Sequence, residues 1–197
     1  MTEPRGPAPA ELKAAVSALC RGQVVAFPTE TYYGLAVDAL DEAALARLFA
    51  VKGRAADKAS ALLVTDRAMI DALCAFVPPK AEQLMAAFWP GPLTLVLPAR
   101  PGLPAAIVDA GYVALRISPH PVAHALVAAF GRPITATSAN LAGAAPARTA
   151  DEVRAGLLPQ SLFVLDGGPT PGGPPSTLVR VTQAGSQVLR RGAIDIR

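Results

Sequence analysis

The sequence predicts an α/β domain, with a twisted sheet of mixed parallel and antiparallel strands flanked by helices. Three observations carry that expectation. Short β-branched and apolar runs alternate with stretches whose apolar residues recur at helical spacing. Hydrophobic residues make up 52% of the 197 residues and charged residues only 17%, too apolar and too weakly charged for a disordered chain. The last two strand-like runs are separated by a few residues around Gly185, which suits an antiparallel hairpin.

Each element has a local reason. Residues 1–8 are polar and carry Pro4 and Pro7, and they read as a flexible leader to one domain over residues 9–197. Residues 11–21 place Leu12, Ala15, Val16, Leu19 and Cys20 at helical spacing, with Gly22 just past the end. Residues 24–27 form a buried strand stopped by Pro28. Residues 41–51 form a helix capped by Asp41. Residues 61–64 are a second buried strand. Asp66 opens a helix to about residue 75, and residues 79–88 make another. Strands follow at 93–97 and 112–117, then a helix over 121–130 closed by Gly131, then a brief strand over 134–137. Thr149 and Glu152 form a capping box for a short helix. Strands at 162–166, 177–182 and 187–189 complete the set.

Composition removes several function classes. The 18 basic and 15 acidic residues leave a charge of +3, which permits contact with phosphates without demanding it. Aromatics at 5% leave few platforms for stacking single-stranded nucleic acid. Cys20 and Cys74 make neither a disulfide framework nor a four-cysteine zinc site, so a reducing compartment is the simplest reading. No apolar run approaches the ~18 residues of a membrane span, and the start has no apolar signal core; a soluble cytoplasmic protein is expected. Neither a Walker A pattern nor a G-x-S-x-G elbow occurs. His120 and His124 are four apart but lack an obvious third ligand, so no metal site is expected.

Polar residues collect at the ends of the predicted elements. In residues 28–35 (PTETYYGL), Thr29, Thr31, Tyr32 and Tyr33 crowd around Glu30. Residues 52–58 (KGRAADK) hold Lys52, Arg54 and Lys58, two of only four lysines in a chain with fourteen arginines. That cluster suits a phosphate clamp, with lysine as point charge and arginine as fork; a solvated helix end is the alternative. Residues 133–140 (PITATSAN) run an apolar strand into Thr137, Ser138 and Asn140, where α/β sheets bind ligands, and where an ordinary turn would also fit. Residues 166–177 (DGGPTPGGPPST) form a glycine/proline loop that ends in Ser176 and Thr177; a simple surface loop competes. Arg116 ends an apolar strand, where a charge is costly unless paired, and Arg190 is placed similarly.

Together these segments resemble the YrdC-type family, the threonylcarbamoyl-AMP synthases. The resemblance runs from about Gly22 to Ile194 through PTETYYGL, the K-x-R of Lys52 and Arg54, FWPGPLTLVL, VALRI, the S-x-N of Ser138 and Asn140, PST and LRRG. Their shared order is what makes the match specific. It implies a twisted mixed sheet around a large concave basic cavity. It also implies formation of threonylcarbamoyl-adenylate and pyrophosphate from L-threonine, bicarbonate or carbon dioxide, and ATP. A separate transferase complex then modifies tRNA next to the anticodon, with direct tRNA contact an open possibility. Thr31, Arg116 and Ser176 match positions that hold L-threonine. Arg54, Lys58, Ser138 and Arg190 match positions that touch ATP. Lys52, Arg54, Ser138 and Asn140 form the signatures expected to carry catalysis. Few carboxylates lie in these segments, so Mg²⁺ is expected on the ATP phosphates and water rather than in a protein cage.

The chain also departs from the family pattern. Ala59 and Ser60 follow Lys58, Tyr32 stands where valine is usual, and Arg191 replaces the proline of LRPG, which leaves Arg190 and Arg191 as competing ATP contacts. The extra C-terminal domain of longer relatives is missing from the sequence, so any lid is expected to come from the chain's own loops. Two other readings stay open: a carbamoyl-adenylate-forming relative, and a non-enzymatic module that binds tRNA or double-stranded RNA.

Overall fold

The strands divide between two sheets, and the division places the candidate site. The computed structural model describes residues 6–53, 59–157 and 161–196, so Arg54 and Lys58 lie outside the described residues, as does most of the expected leader. The helices are α1 (Pro9–Cys20), α2 (Glu42–Lys52), α3 (Arg67–Leu73), α4 (Pro79–Phe88), α5 (Pro121–Phe130) and α6 (Ala150–Leu157). The strands are β1 (Val24–Pro28), β2 (Tyr33–Ala36), β3 (Leu62–Leu63), β4 (Leu93–Pro98) and β5 (Tyr112–Arg116). They continue with β6 (Ile134–Thr135), β7 (Thr137–Ser138), β8 (Leu162–Val164), β9 (Thr177–Thr182) and β10 (Gly185–Arg190).

One sheet has the order β7-β2-β1-β8 and the other β10-β9-β4-β5-β3-β6. Pairing is mixed in both. β1 is antiparallel to β2 and parallel to β8, while β4 is antiparallel to β5 and parallel to β9. The last two strands form the expected antiparallel hairpin, with a register shift between Val188 and Arg190.

Two local differences from the sequence reading matter. The single strand expected over 134–137 is broken: β6 pairs with β3 in one sheet, and β7 pairs with β2 in the other. Ala136 is the residue at which the chain crosses between sheets. The PTETYYGL segment is a hairpin rather than a loop. Its hydroxyl-rich residues 29–32 make the turn, and all four residues of β2 are buried. Gly34 lets the Phe27 ring pack closely there, since a Cβ would sit 3.2 Å from it.

The helix ends follow the expected chemistry. Asp41 and Asp66 accept from Ala44 N at 3.0 Å and Met69 N at 2.9 Å, and so cap α2 and α3. Gly53 and Gly131 adopt left-handed backbone just past α2 and α5. α1 packs on α5 and β1, burying Leu19, Val25, Phe27 and Leu126 in one core. Truncating such a leucine to alanine costs about 2–5 kcal/mol. No helix among the described residues is long and apolar enough to cross a membrane.

Candidate active site

A cavity of about 630 Å³ opens between the two sheets. The β1–β2 turn contributes Thr29 and Thr31, the four-stranded sheet Tyr33 and Ser138, and the six-stranded sheet Thr94, Ala114, Arg116, Leu178 and Arg190. Ala136, at the crossing point, and Ser176, at the end of the glycine/proline loop, complete the wall. Among the described lining residues the charged ones are Arg116 and Arg190.

Strand alternation places Arg116. On β5, Val113 and Leu115 enter the core, while Tyr112, Ala114 and Arg116 stay half-buried on the opposite face. The Arg116 guanidinium pairs with the Glu30 carboxylate, their side chains being 11% and 16% exposed. Ser118 Oγ donates to Glu30 Oε2 at 2.7 Å. Burial and then the neighbouring Arg190 pull the Arg116 pKa down to about 10. That lies well above neutrality, so the group stays cationic at pH 7.

His120 supports the same corner from behind. Its backbone N–H donates to Ser118 Oγ at 3.2 Å, and its Nδ1 accepts from Val122 N at 3.3 Å, capping α5. Burial pushes its pKa down to about 4, which leaves a neutral imidazole at pH 7. Its ring is committed to the helix end. No group of three metal-ligating side chains is found among the described residues.

Arg190 and Ser176 form the opposite corner. Arg190 Nη2 donates to Ser176 O at 2.9 Å and approaches Ser176 Oγ at 3.3 Å. Thr94 Oγ1 and Ser176 Oγ lie 2.8 Å apart. Partial burial lowers the Arg190 pKa. Arg191 is directed elsewhere, with a side chain 90% exposed and 3.8 Å from Asp195, so Arg190 is the member of the LRRG pair that reaches the cavity. The glycine of LRRG is required by close backbone approach, because a Cβ on Gly192 would fall 2.1 Å from Pro175 O. Three hydrogen bonds pin the FWPGPLT segment. Trp89 Nε1 donates to Leu93 O at 2.7 Å, Gly91 N to Ile117 O at 2.9 Å and Thr177 N to Pro92 O at 2.9 Å. These bonds set Thr94 and Ser176 side by side.

Thr31 lies on the cavity side of the hairpin turn. Its backbone N–H donates to Thr29 Oγ1 at 3.3 Å, and Thr29 Oγ1 in turn donates to Tyr32 O at 2.7 Å. Ser138 also lines the cavity, and its Oγ donates to Asn140 Oδ1.

Lys52 and Asn140 meet at the Ser138 turn. Neither lines the cavity. Lys52 is 3% exposed, and its Nζ donates to Ser138 O at 2.6 Å, Asn140 O at 3.1 Å and Asn140 Oδ1 at 3.4 Å. The Asn140 amide donates to Leu141 O at 2.9 Å and Ala144 O at 2.7 Å. Being the last residue of α2, Lys52 faces the back of the turn rather than the ligand space. The pair therefore builds the turn that presents Ser138.

The structure thus gathers Thr31, Arg116, Ser138, Ser176 and Arg190 around one space and sets Lys52 and Asn140 behind its wall. Sequence reasoning passed over Thr94, Ser118 and the pairing of Glu30. Thr94 had a signal, as the lone polar residue in the apolar run LTLVL.

Fold and site define a two-sheet α/β protein with an arginine-bearing cavity suited to anions. The Sua5/YciO/YrdC family, described as "Telomere recombination", matches residues 17–192, and the chain belongs to it. It is 37% identical over 187 residues to the threonylcarbamoyl-AMP synthase of Pyrococcus abyssi, covering 94% of this chain and 55% of that one. The Bacillus subtilis threonylcarbamoyl-AMP synthase is 38% identical over 186 residues, covering 93% and 54%. The crystal structure of P. abyssi Sua5 complexed with L-threonine superposes with a TM-score of 0.87 at 38% identity, covering 92% of this chain and 54% of that one. The chain spans about half the length of these relatives.

Proposed function

We propose that this chain condenses L-threonine, bicarbonate or carbon dioxide, and ATP into L-threonylcarbamoyl-adenylate and pyrophosphate. The product would feed a separate transferase complex acting on tRNA next to the anticodon. One observation carries the reading. Arg116 and Arg190, on strands far apart in sequence, converge with the hydroxyl side chains of Thr31, Ser138 and Ser176 on a single cavity, in a family whose Pyrococcus member is seen with L-threonine.

The threonine amine adds to carbon dioxide and loses a proton, forming a carbamate. A carbamate oxygen attacks the α-phosphorus of ATP, and the bond to the bridging oxygen breaks to release pyrophosphate. Two unit charges 4 Å apart repel by about 4 kcal/mol at an effective dielectric near 20, so reactants this anionic need cations to meet. Arg116 holds the amino-acid carboxylate as a fork, with Thr31 and Ser176 as hydroxyl contacts. Arg190 and Ser138, together with Arg54 and Lys58, hold the triphosphate and stabilise charge developing at the α-phosphate. Lys52 and Asn140 act at one remove, by holding the Ser138 turn. The glycine/proline loop walls the labile carbamate from water.

No carboxylate lines the cavity among the described residues, so a protein cage for magnesium does not fit; the ion fits as a companion of the nucleotide phosphates, whose charge it offsets.

Pyrophosphate release on mixing ATP, L-threonine and bicarbonate tests the reading, with each substrate omitted in turn. Release that needs all three is expected. Threonine-independent turnover with carbamoyl phosphate would move the assignment to carbamoyl-adenylate chemistry. RNA binding without any turnover would move it to a binding module.

A further inference from the structure

The glycine/proline loop between β8 and β9 is sewn down along its first half, and Arg148 does much of the sewing, half through its backbone carbonyl and half through its guanidinium. At its root, the Tyr33 hydroxyl donates to Gly168 O at 2.9 Å and accepts from Gly167 N at 3.3 Å. Burial pushes the Tyr33 pKa up to about 12, so that hydroxyl keeps its proton at physiological pH. At mid-loop, Arg148 makes four contacts. Its carbonyl accepts from Thr170 N at 2.8 Å and Thr170 Oγ1 at 3.1 Å, while its Nε and Nη2 donate to Thr170 O at 3.3 Å and Pro171 O at 3.0 Å. Gly172 lies flat against the guanidinium, where a Cβ would be 3.2 Å from Nε, and its N–H donates to Thr31 O at 2.7 Å. Immediately beyond, Gly173, Pro175 and Ser176 line the cavity.

We propose that Arg148 is a positioning residue for the amino-acid half of the site, clasping this loop onto the Thr29–Tyr33 hairpin so that Thr31 and Ser176 face one ligand. Arg148 does not line the cavity itself, whereas Pro146, two residues before it, does. Its backbone is held in turn by Glu152, whose Oε2 accepts from Arg148 N at 2.6 Å, so the clasp is anchored to the start of α6. A planar guanidinium spans two successive carbonyls; a lysine ammonium on a flexible stem does not hold both in fixed geometry. The clasp leaves the Arg190 side of Ser176 untouched, so its loss falls on one substrate.

The inference rests on the proposed synthase reading, and the test separates the two. In Arg148→Ala, the KM for L-threonine rises five- to tenfold, while kcat and the KM for ATP stay within twofold. Arg148→Lys recovers less than half of the loss. Equal rises in both KM values, an unchanged threonine KM, or full rescue by lysine would overturn the proposal. Hydrogen exchange on the ligand-free protein gives a readout without turnover. In Arg148→Ala the Gly172 amide exchanges at least tenfold faster, while the Leu165 amide, bonded to Ala26 O in the core, is unchanged. A wild-type protein that does not turn over threonine would remove the synthase reading alone. Unchanged exchange at Gly172 would remove the clasp.

Discussion

Two cations withdrawn from solvent keep different partners in this molecule. Lys52 ends a helix, and its ammonium is directed at oxygens of the Ser138–Asn140 turn. Arg116 ends a strand, and it divides its guanidinium between Glu30 and the cavity. A lysine can satisfy a turn as a point charge, whereas an arginine fork can pair with one carboxylate and still offer donors to another. Burial alone therefore does not tell which cation reaches the cavity. The geometry of the partners does.

The sharpest way to break the comparison is Arg116→Leu. It strands Glu30 in a buried site at a cost of about 3–5 kcal/mol in stability. It also raises the threonine KM by at least a hundredfold. Chemical denaturation and steady-state kinetics check the two effects; a variant with unchanged threonine affinity would take Arg116 out of the ligand site.

Acid is the next lever, because it reaches the Arg116 corner through His120. The folded state lowers the His120 pKa to about 4 from an ordinary 6.5, so the unfolded chain binds the proton more readily. The stabilising contribution is complete above pH 6.5 and is lost as pH falls towards 4, by roughly 3 kcal/mol. His120→Asn, which keeps a capping group, should flatten that slope in a denaturation series across the same range.

Lys52→Met comes third. Removing the donor to the turn oxygens costs about 1–3 kcal/mol. Turnover drops about tenfold through a displaced Ser138, with the threonine KM unchanged; a rise in that KM would bring Lys52 back to the amino-acid pocket. Arg190→Ala is the mildest for the fold, within about 1 kcal/mol, because the residue is exposed. Its kcat/KM for ATP falls about tenfold, on the order of 1.4 kcal/mol of lost transition-state stabilisation. Unchanged ATP kinetics would leave Arg190 as a structural partner of Ser176.

Much of the fold was legible because its signals are local. Asp41 and Asp66 caps, the Gly131 stop and the Gly185 hairpin are each settled by a few neighbouring residues. The crossing at Ala136 was not, because nothing in PITATS distinguishes one straight strand from two short ones paired with different sheets. Tyr33 to Ala36 hid as strand because hydroxyl-bearing residues just before it read as a turn. In the site, strand-end charge and the glycine/proline loop pointed to Arg116, Arg190 and Ser176, which do line one cavity. Neither could tell that Lys52 points behind the Ser138 turn, since side-chain direction at a helix terminus depends on tertiary neighbours. The partner of Arg116 was equally hidden, because Glu30 is 86 positions away in sequence.

The passage of the chain between its sheets through one small residue has a mechanical meaning. Arg116 and Ser138 stand on opposite sides of that joint, so any molecule grasped by both becomes a strut across it. Occupancy would then knit the two halves into a single cooperative unit, and the melting transition should sharpen as well as rise when substrates are added together.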